Sequence, residues 1–336
     1  MAEQDAIELE INDLNHAGEG VGRYDGRVVF VPYAAPGDLA LVRVNEDRGT
    51  YLRAELLSLA RESRLRVPPP CPVYLQCGGC QLQHLDYEAQ LRYKANRVRQ
   101  ALERIGKLKG IMVRECLPAP ERFHYRNKAR FSYEAVGSPP LLSGKPRWTT
   151  FLSGFYRRRT RDVVDFDECI IQNSINNRVF QALNQLIQEY GIPIYGPRTG
   201  QFSADNEVLG SGTGSLRHLV VRTAGDEKEA LAILVTHRGS LPQVDEIARA
   251  LMQRVPEVVG VIEDVGGSVF ATSVTPGAPG PRLILGKDRL TERICGLDFL
   301  VSAESFLQVN PRATELLYGV VLEYAQLTGR ERVVDA

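Results

Sequence analysis

Residues 7–44 read IELEINDLNHAGEGVGRYDGRVVFVPYAAPGDLALVRV. Short β-like runs alternate here with glycine turns: Ile7–Ile11, then Gly18, Gly20 and Gly22, then Val28–Val31, then Leu39–Val44, with Tyr51–Leu59 following. Strands this short and this regularly punctuated predict a small antiparallel barrel. Taken alone, the pattern also fits a β-subdomain that binds nothing.

Outward from the barrel, a basic, proline-rich hinge from Arg61 to Pro70 leads to a cysteine cluster. Asp86 to Ile105 reads as one helix that Gly106 stops; Tyr87, Leu91, Ala95, Val98, Leu102 and Ile105 recur at helical spacing and predict a core-facing stripe. From about 110 to 300, strands and helices mix. Ser174 to Tyr190 is a helix with an Asn-rich start and Gly191 as its stop. Leu216–Arg222 and Ala230–His237 are buried strands joined by a charged turn, Gly225 to Glu229. Leu241 to Gln253 is a helix, Val258–Glu263 a strand, Thr275 to Pro281 a loop, Arg282–Leu285 a strand, and Arg312 to Gln326 a last helix. The sum is an α+β multidomain chain: 1–60 a barrel, 61–110 the cysteines and a helix, 111–302 a central α+β domain, 303–336 the start of another.

A length of 336 residues agrees with two or three domains, and 43% hydrophobic with 24% charged residues is ordinary for a globular chain. Lys plus Arg equals Asp plus Glu at 41 each, so net charge identifies no partner. The acidic start MAEQDAIELEIND lacks the basic and apolar regions of a signal peptide, and no apolar run approaches the roughly 18 residues of a membrane helix. A cytoplasmic location without a membrane partner is expected, with monomer as the default. Six cysteines in such a chain then point to metal, catalytic or buried roles rather than disulfides.

Cys71, Cys77 and Cys80 form C-x5-C-x2-C within CPVYLQCGGCQLQH. The two glycines let the backbone wrap so that sulfurs face one centre. Structural zinc and cubane iron–sulfur sites both take four ligands, so three local thiolates need a fourth. Cys169, in VVDFDECIIQ, is the best candidate; Cys116 and Cys295 are alternatives, and His84 could serve zinc. Spacing alone does not separate iron–sulfur from zinc.

Between Arg122 and Arg161 there are ten Lys or Arg and a single acid, Glu134, together with Phe123, Tyr125, Phe131, Tyr133, Trp148, Phe151, Phe155 and Tyr156. Cations neutralise phosphates while aromatic faces stack on unpaired bases, which suits single-stranded or looped RNA. Arg126, Lys128 and Arg130 alternate on one face of a strand, with Phe131 and Tyr133 on the other. Arg157, Arg158, Arg159 and Arg161 add a dense patch. A solvated basic face over an aromatic core is the competing explanation. His16, His124 and His237 have no partner visible in sequence, and Leu216–Leu219 reads mainly as sheet.

The cysteine run, with Gln81-Leu82-Gln83-His84, Tyr87 and Gln90 to Lys94, resembles the family of 23S rRNA uracil-5-methyltransferases. Gly18 to Arg23, Val28 to Pro32 and Gly37-Asp38 look like a TRAM domain, an RNA-gripping barrel of the oligonucleotide-binding type. Tyr125-Arg126-Asn127-Lys128 is similar to the family's basic motif, and Ser305-Phe306-Leu307-Gln308-Val309-Asn310-Pro311 to a segment that lines its S-adenosylmethionine pocket. The resemblance implies a structural [4Fe–4S] cluster on Cys71, Cys77, Cys80 and Cys169. It further implies S-adenosylmethionine contacted by Gln308 and more weakly by Phe306, and 23S rRNA as partner. Asn310 and Pro311 are explained by helix entry alone.

In that family a cysteine thiolate adds to C6 of a flipped uracil, C5 takes the methyl group, and a carboxylate removes the C5 proton. No cysteine here sits in a matching context, so no catalytic residue is assigned; nucleophile and base are expected beyond Ala336. Arg332 to Ala336 reads as the first strand of a nucleotide-binding fold. The chain is thus expected to be truncated and inactive by itself. The alternatives are a free-standing iron–sulfur RNA-binding module and, further off, a zinc-containing translation factor.

Overall fold

A computed structural model describes residues 6–136, 151–196, 215–237, 239–267 and 280–334. Where four segments were expected, contacts group the chain into two units: Met1–Pro118 with Arg157–Arg159, and Ala119–Tyr156 with Thr160–Ala336.

In the first unit, β1 (Ile7–Leu14), β2 (Gly20–Tyr24), β3 (Arg27–Val31), β4 (Leu39–Asp47) and β5 (Tyr51–Arg61) close into a barrel in the order β1-β2-β3-β5-β4. Alternation turns Leu9, Ile11, Val29, Val31, Val42, Leu52 and Ala54 into its core. Gly18 is a turn residue, at φ +71, but Gly20 and Gly22 sit inside strand β2, contrary to the sequence reading. Close approach is what demands them: a Cβ on Gly22 would lie 2.7 Å from the Glu10 carbonyl oxygen and from Leu9 Cγ.

The expected hinge is pinned. The Arg66 guanidinium donates to both oxygens of the buried Asp38 carboxylate, at 2.9 and 2.7 Å. Ser63 N–H donates to Asp38 as well, and Val67 N–H to the His84 carbonyl. Helix α1 (Tyr87–Arg104) is capped by the Asp86 side chain, as its sequence predicts. Its apolar stripe is a correction: of the stripe only Leu91 is buried, while Val98 and Ile105 are 51% and 83% exposed. Helical spacing establishes which residues share a face; burial requires something to cover that face.

The second unit is a seven-stranded sheet in the order β12-β11-β10-β9-β6-β7-β8. Its strands are β6 (Lys128–Ala135), β7 (Phe151–Tyr156), β8 (Val163–Asp165), β9 (Ser215–Thr223), β10 (Ala230–His237), β11 (Val258–Val265) and β12 (Gly280–Gly286). Helices α2 (Ser174–Tyr190) and α3 (Val244–Arg254) pack into one core with it. All pairings are antiparallel except β10 with β11, which α3 connects, as a parallel neighbour requires a crossover. Phe131 is stacked against Phe180, centroids 4.1 Å apart, and against Phe155 at 5.2 Å. Gly191 ends α2 in the left-handed conformation, as expected.

Hairpin β13 (Arg289–Ile294) and β14 (Leu297–Ser302) escaped the sequence reading. Leu290, Val301 and Ala303 join a separate core with Val220, Leu231 and Ile233. The signal was Cys295-Gly296, both with positive φ, the backbone a two-residue hairpin turn needs. Helix α4 (Pro311–Ala325) starts as expected, Asn310 accepting from Ala313 N–H at 3.0 Å, yet exposes Leu317, Val321 and Leu322. Arg332 to Val334 form no strand, and Val333 and Val334 are exposed; a strand needs a neighbour to pair with, and they have none among the described residues. Trp148, most of the Thr275–Pro281 loop, Asp335 and Ala336 lie outside the described residues. Among those described, no helix is long and apolar enough to cross a membrane.

Candidate nucleic-acid interface

Cys71, Cys77 and Cys80 lie in one tight loop of the first unit. Cys77 N–H closes a turn onto the Val73 carbonyl at 2.8 Å, and Gly79 N–H points at Cys77 Sγ at 3.3 Å. Burial pushes the Cys77 thiol pKa up, and the neighbouring Cys80 and Cys71 push it further, so the three sulfurs feel one another. Among the described residues, however, no three His, Cys, Asp or Glu side chains converge as they would around a single metal ion. A cubane spaces its thiolates wider than one ion does, so the loop's donor set still matches a cluster in kind. The Tyr74 hydroxyl and His84 Nδ1 are hydrogen-bonded at 2.7 Å, and burial, then Arg66, keep the imidazole neutral, with a pKa down to about 4.

Cys169 belongs to the second unit, where Asn177 clamps its backbone from both sides, accepting from its N–H at 3.0 Å and donating to its carbonyl at 3.1 Å. Asn177 was invisible in sequence beyond the Asn-rich helix start. Cys295 is exposed in the hairpin turn and Cys116 is half-buried.

Two arginines of the dense patch have a partner within their own unit. Arg158 and Arg159 donate to the fully buried Glu19 carboxylate at 2.9 and 2.8 Å, where Arg53 joins them at 3.0 Å and Asn15 at 2.7 Å. Burial by itself would raise the Glu19 pKa; Asn15 and the three guanidiniums outweigh it and hold the carboxyl below its usual range. These arginines are therefore first a clamp within their unit. Arg157 lies beside Cys77 through a backbone bridge.

In the second unit the basic segment is held by backbone contacts. The Arg126 carbonyl accepts from Asn173 N–H at 3.1 Å and the Asn176 side-chain amide at 3.0 Å, which explains the asparagines that open α2. Lys128 and Arg130 share one face of β6, while Phe131 and Tyr133 are buried on the other, as alternation predicts; Arg126 precedes the strand. Lys128 is half-buried: burial, then Arg222, Arg126 and Arg130, lower its pKa to about 8.

Asn127 between them does the joining. Its backbone N–H donates to the Val309 carbonyl at 3.0 Å, and its side-chain amide to Glu292 at 3.3 Å. Glu292 also accepts from Gly225 N–H at 2.9 Å, and burial pushes its carboxyl pKa up. The Arg222 guanidinium reaches the Ser305 carbonyl, and its Nε is buried with no partner. The Phe306–Gln308 segment is thereby fastened at both ends while the side chains of Phe306 and Gln308 stay exposed.

The first unit is thus a barrel, and the second an α+β unit whose basic strand is tied to an exposed Phe-x-Gln segment. The TRAM domain family matches residues 5–57. An uncharacterized RNA methyltransferase of Halalkalibacterium halodurans is 36% identical over 99% of this chain and 67% of its own length. One of Listeria monocytogenes is 34% identical over 98% and 67%. A crystal structure of Pyrococcus abyssi tRNA (uracil-54, C5)-methyltransferase with S-adenosyl-L-homocysteine matches 94% of this chain and 65% of that one, with TM-score 0.64 and 25% identity. The chain spans about two thirds of the length of these relatives. It belongs to this family of RNA methyltransferases.

Proposed function

We propose that the protein acts as an S-adenosylmethionine-dependent RNA (uracil-5-)-methyltransferase whose substrate is 23S rRNA. The observation that carries the uracil-5 reading is the likeness, over 94% of the chain, to a tRNA (uracil-54, C5)-methyltransferase. The likeness of the cysteine loop to that of the 23S rRNA uracil-5-methyltransferases favours rRNA. The structural neighbour's own substrate favours tRNA as the second reading.

Exposed Gln308 and Phe306, on backbone held by Asn127 and Arg222, fit residues that meet a cofactor. S-adenosylmethionine, when bound, supplies an electrophilic methyl group. This chain's part is to orient: Asn127 couples the Gln308 segment to the strand whose Lys128 and Arg130 would take RNA phosphates, beside Arg126. Arg157 would add positive charge, and so would Arg158 and Arg159, which with Arg53 put three guanidiniums on the Glu19 carboxylate. A [4Fe–4S] cluster with Cys71, Cys77 and Cys80 among its ligands would order the loop without entering the reaction.

The test is to disrupt the gene and map 5-methyluridine in cellular RNA by mass spectrometry. Loss from 23S rRNA is expected. Loss from tRNA alone would favour the second reading, and no loss anywhere would overturn both.

A further inference from the structure

Strands β11, β10, β9, β6 and β7, five neighbours in the second unit's sheet, contribute or lead into the walls of a cavity of about 310 Å³. That volume is at the lower end of the roughly 300–1,000 Å³ found for small-ligand sites and is of the order of one nucleotide. Arg130, Arg161 and Arg217 line it, and no Asp or Glu does among the described residues. Three guanidiniums around one space favour an anion.

The remaining walls are not those of a bare phosphate site. Tyr156 presents an aromatic ring, set edge-on to His218 at 6.3 Å. His218 is 5% exposed and bonded through Nδ1 to Ser132 Oγ at 3.1 Å. Burial, then Arg130 and Arg217, lower its pKa to about 3, so it is an uncharged hydrogen-bonding group amid cations. Arg217 is itself steadied over the Tyr195 ring, 5.2 Å from the centroid. Aromatic faces and neutral polar groups suit a base; guanidiniums suit the phosphate attached to it. Arg130, Tyr156, Arg217 and His218 stand on paired strands, which holds their backbones in place before anything binds.

We propose that this cavity seats one unpaired nucleotide of the RNA, distinct from the uridine that reacts, with its phosphate on Arg130, Arg161 and Arg217 and its base against Tyr156 and His218. The inference rests on the reading that the protein binds RNA, and not on which base is methylated.

The experiment measures fluorescence anisotropy of a labelled single-stranded oligoribonucleotide and of a blunt duplex of the same sequence. Tyr156→Leu is expected to weaken single-strand binding about tenfold with the duplex unaffected, and Tyr156→Phe to restore it. Arg217→Ala should lower the slope of log affinity against log salt by about 0.7. A folded Tyr156→Leu protein that binds the single strand as tightly as the wild type would overturn the proposal. If that variant melts early, an unchanged salt slope for Arg217→Ala overturns it instead. Displacement of the oligonucleotide by UMP at equal concentration would assign the cavity to a free nucleotide and likewise overturn it. Wild-type protein that binds neither RNA would sink the methyltransferase reading too, whereas RNA binding indifferent to Tyr156 and Arg217 sinks only the cavity.

Discussion

The backbone N–H of Asn127 donates to the carbonyl of Val309 at 3.0 Å, joining two segments that sequence analysis could only treat separately. The basic segment and the Phe-x-Gln segment are thus one local structure. An RNA phosphate on β6 and a ligand at Gln308 would share a support.

Asn127→Ala should destabilise the second unit by about 1–3 kcal/mol, because Glu292 would lose a donor while remaining buried. Urea unfolding checks this; a loss under about 0.5 kcal/mol would mean that the side chain is dispensable.

Glu19→Gln leaves three arginines facing a neutral amide. A loss of about 2–3 kcal/mol is expected, at the low end for a broken buried ion group because Arg159 is half exposed. The pH dependence should change as well. The Glu19 pKa is lowered on folding, so its stabilisation is present above the unfolded value of about 4.3 and is lost as pH falls through the folded one. Acid unfolding that is identical in the variant would refute the assignment.

Gly22→Ala should cost about 1–3 kcal/mol of barrel stability, since the new methyl would meet backbone and Leu9 at 2.7 Å. A melting temperature equal to the wild type would show that β1 and β2 can part without penalty.

Cys77→Ala or Cys80→Ala should abolish iron and acid-labile sulfide uptake and lower the melting temperature. Full iron loading with unchanged melting would remove these residues from the ligand set.

Replacing Arg126, Lys128 and Arg130 together by Ala should weaken single-stranded RNA binding and reduce its salt slope by about 2. In the wild type, affinity should fall as pH rises through about 8, where Lys128 loses its proton. Lys128 holds its proton less tightly folded than unfolded, so stability itself should rise between pH 8 and about 10.4. An unaltered salt slope would place the RNA footprint elsewhere.

Periodicity and turn chemistry made much of the fold legible. The barrel strands, α2 with its Gly191 stop, the β9–β10 hairpin and the Asn310 cap follow from local patterns whose causes lie within a few residues. Those patterns could not tell whether the α1 stripe is covered, that β2 holds two glycines for close approach, or that Cys295-Gly296 turns a hairpin, because each depends on what lies opposite in space.

Chemistry-bearing residues divide the same way. From sequence alone come the cysteine loop, the alternating cations of β6 and the helix-entry segment, each defined by spacing along the chain. Only the tertiary structure spends Arg158 and Arg159 on Glu19, clamps Cys169 with Asn177, couples Asn127 to Glu292 and Val309, and gathers Arg130, Arg217, His218 and Tyr156 around one cavity. A charge in a sequence has no partner; folding brings opposite and like charges within a few ångströms, where the interaction energy is large enough to decide which cations face inward and which remain for a ligand.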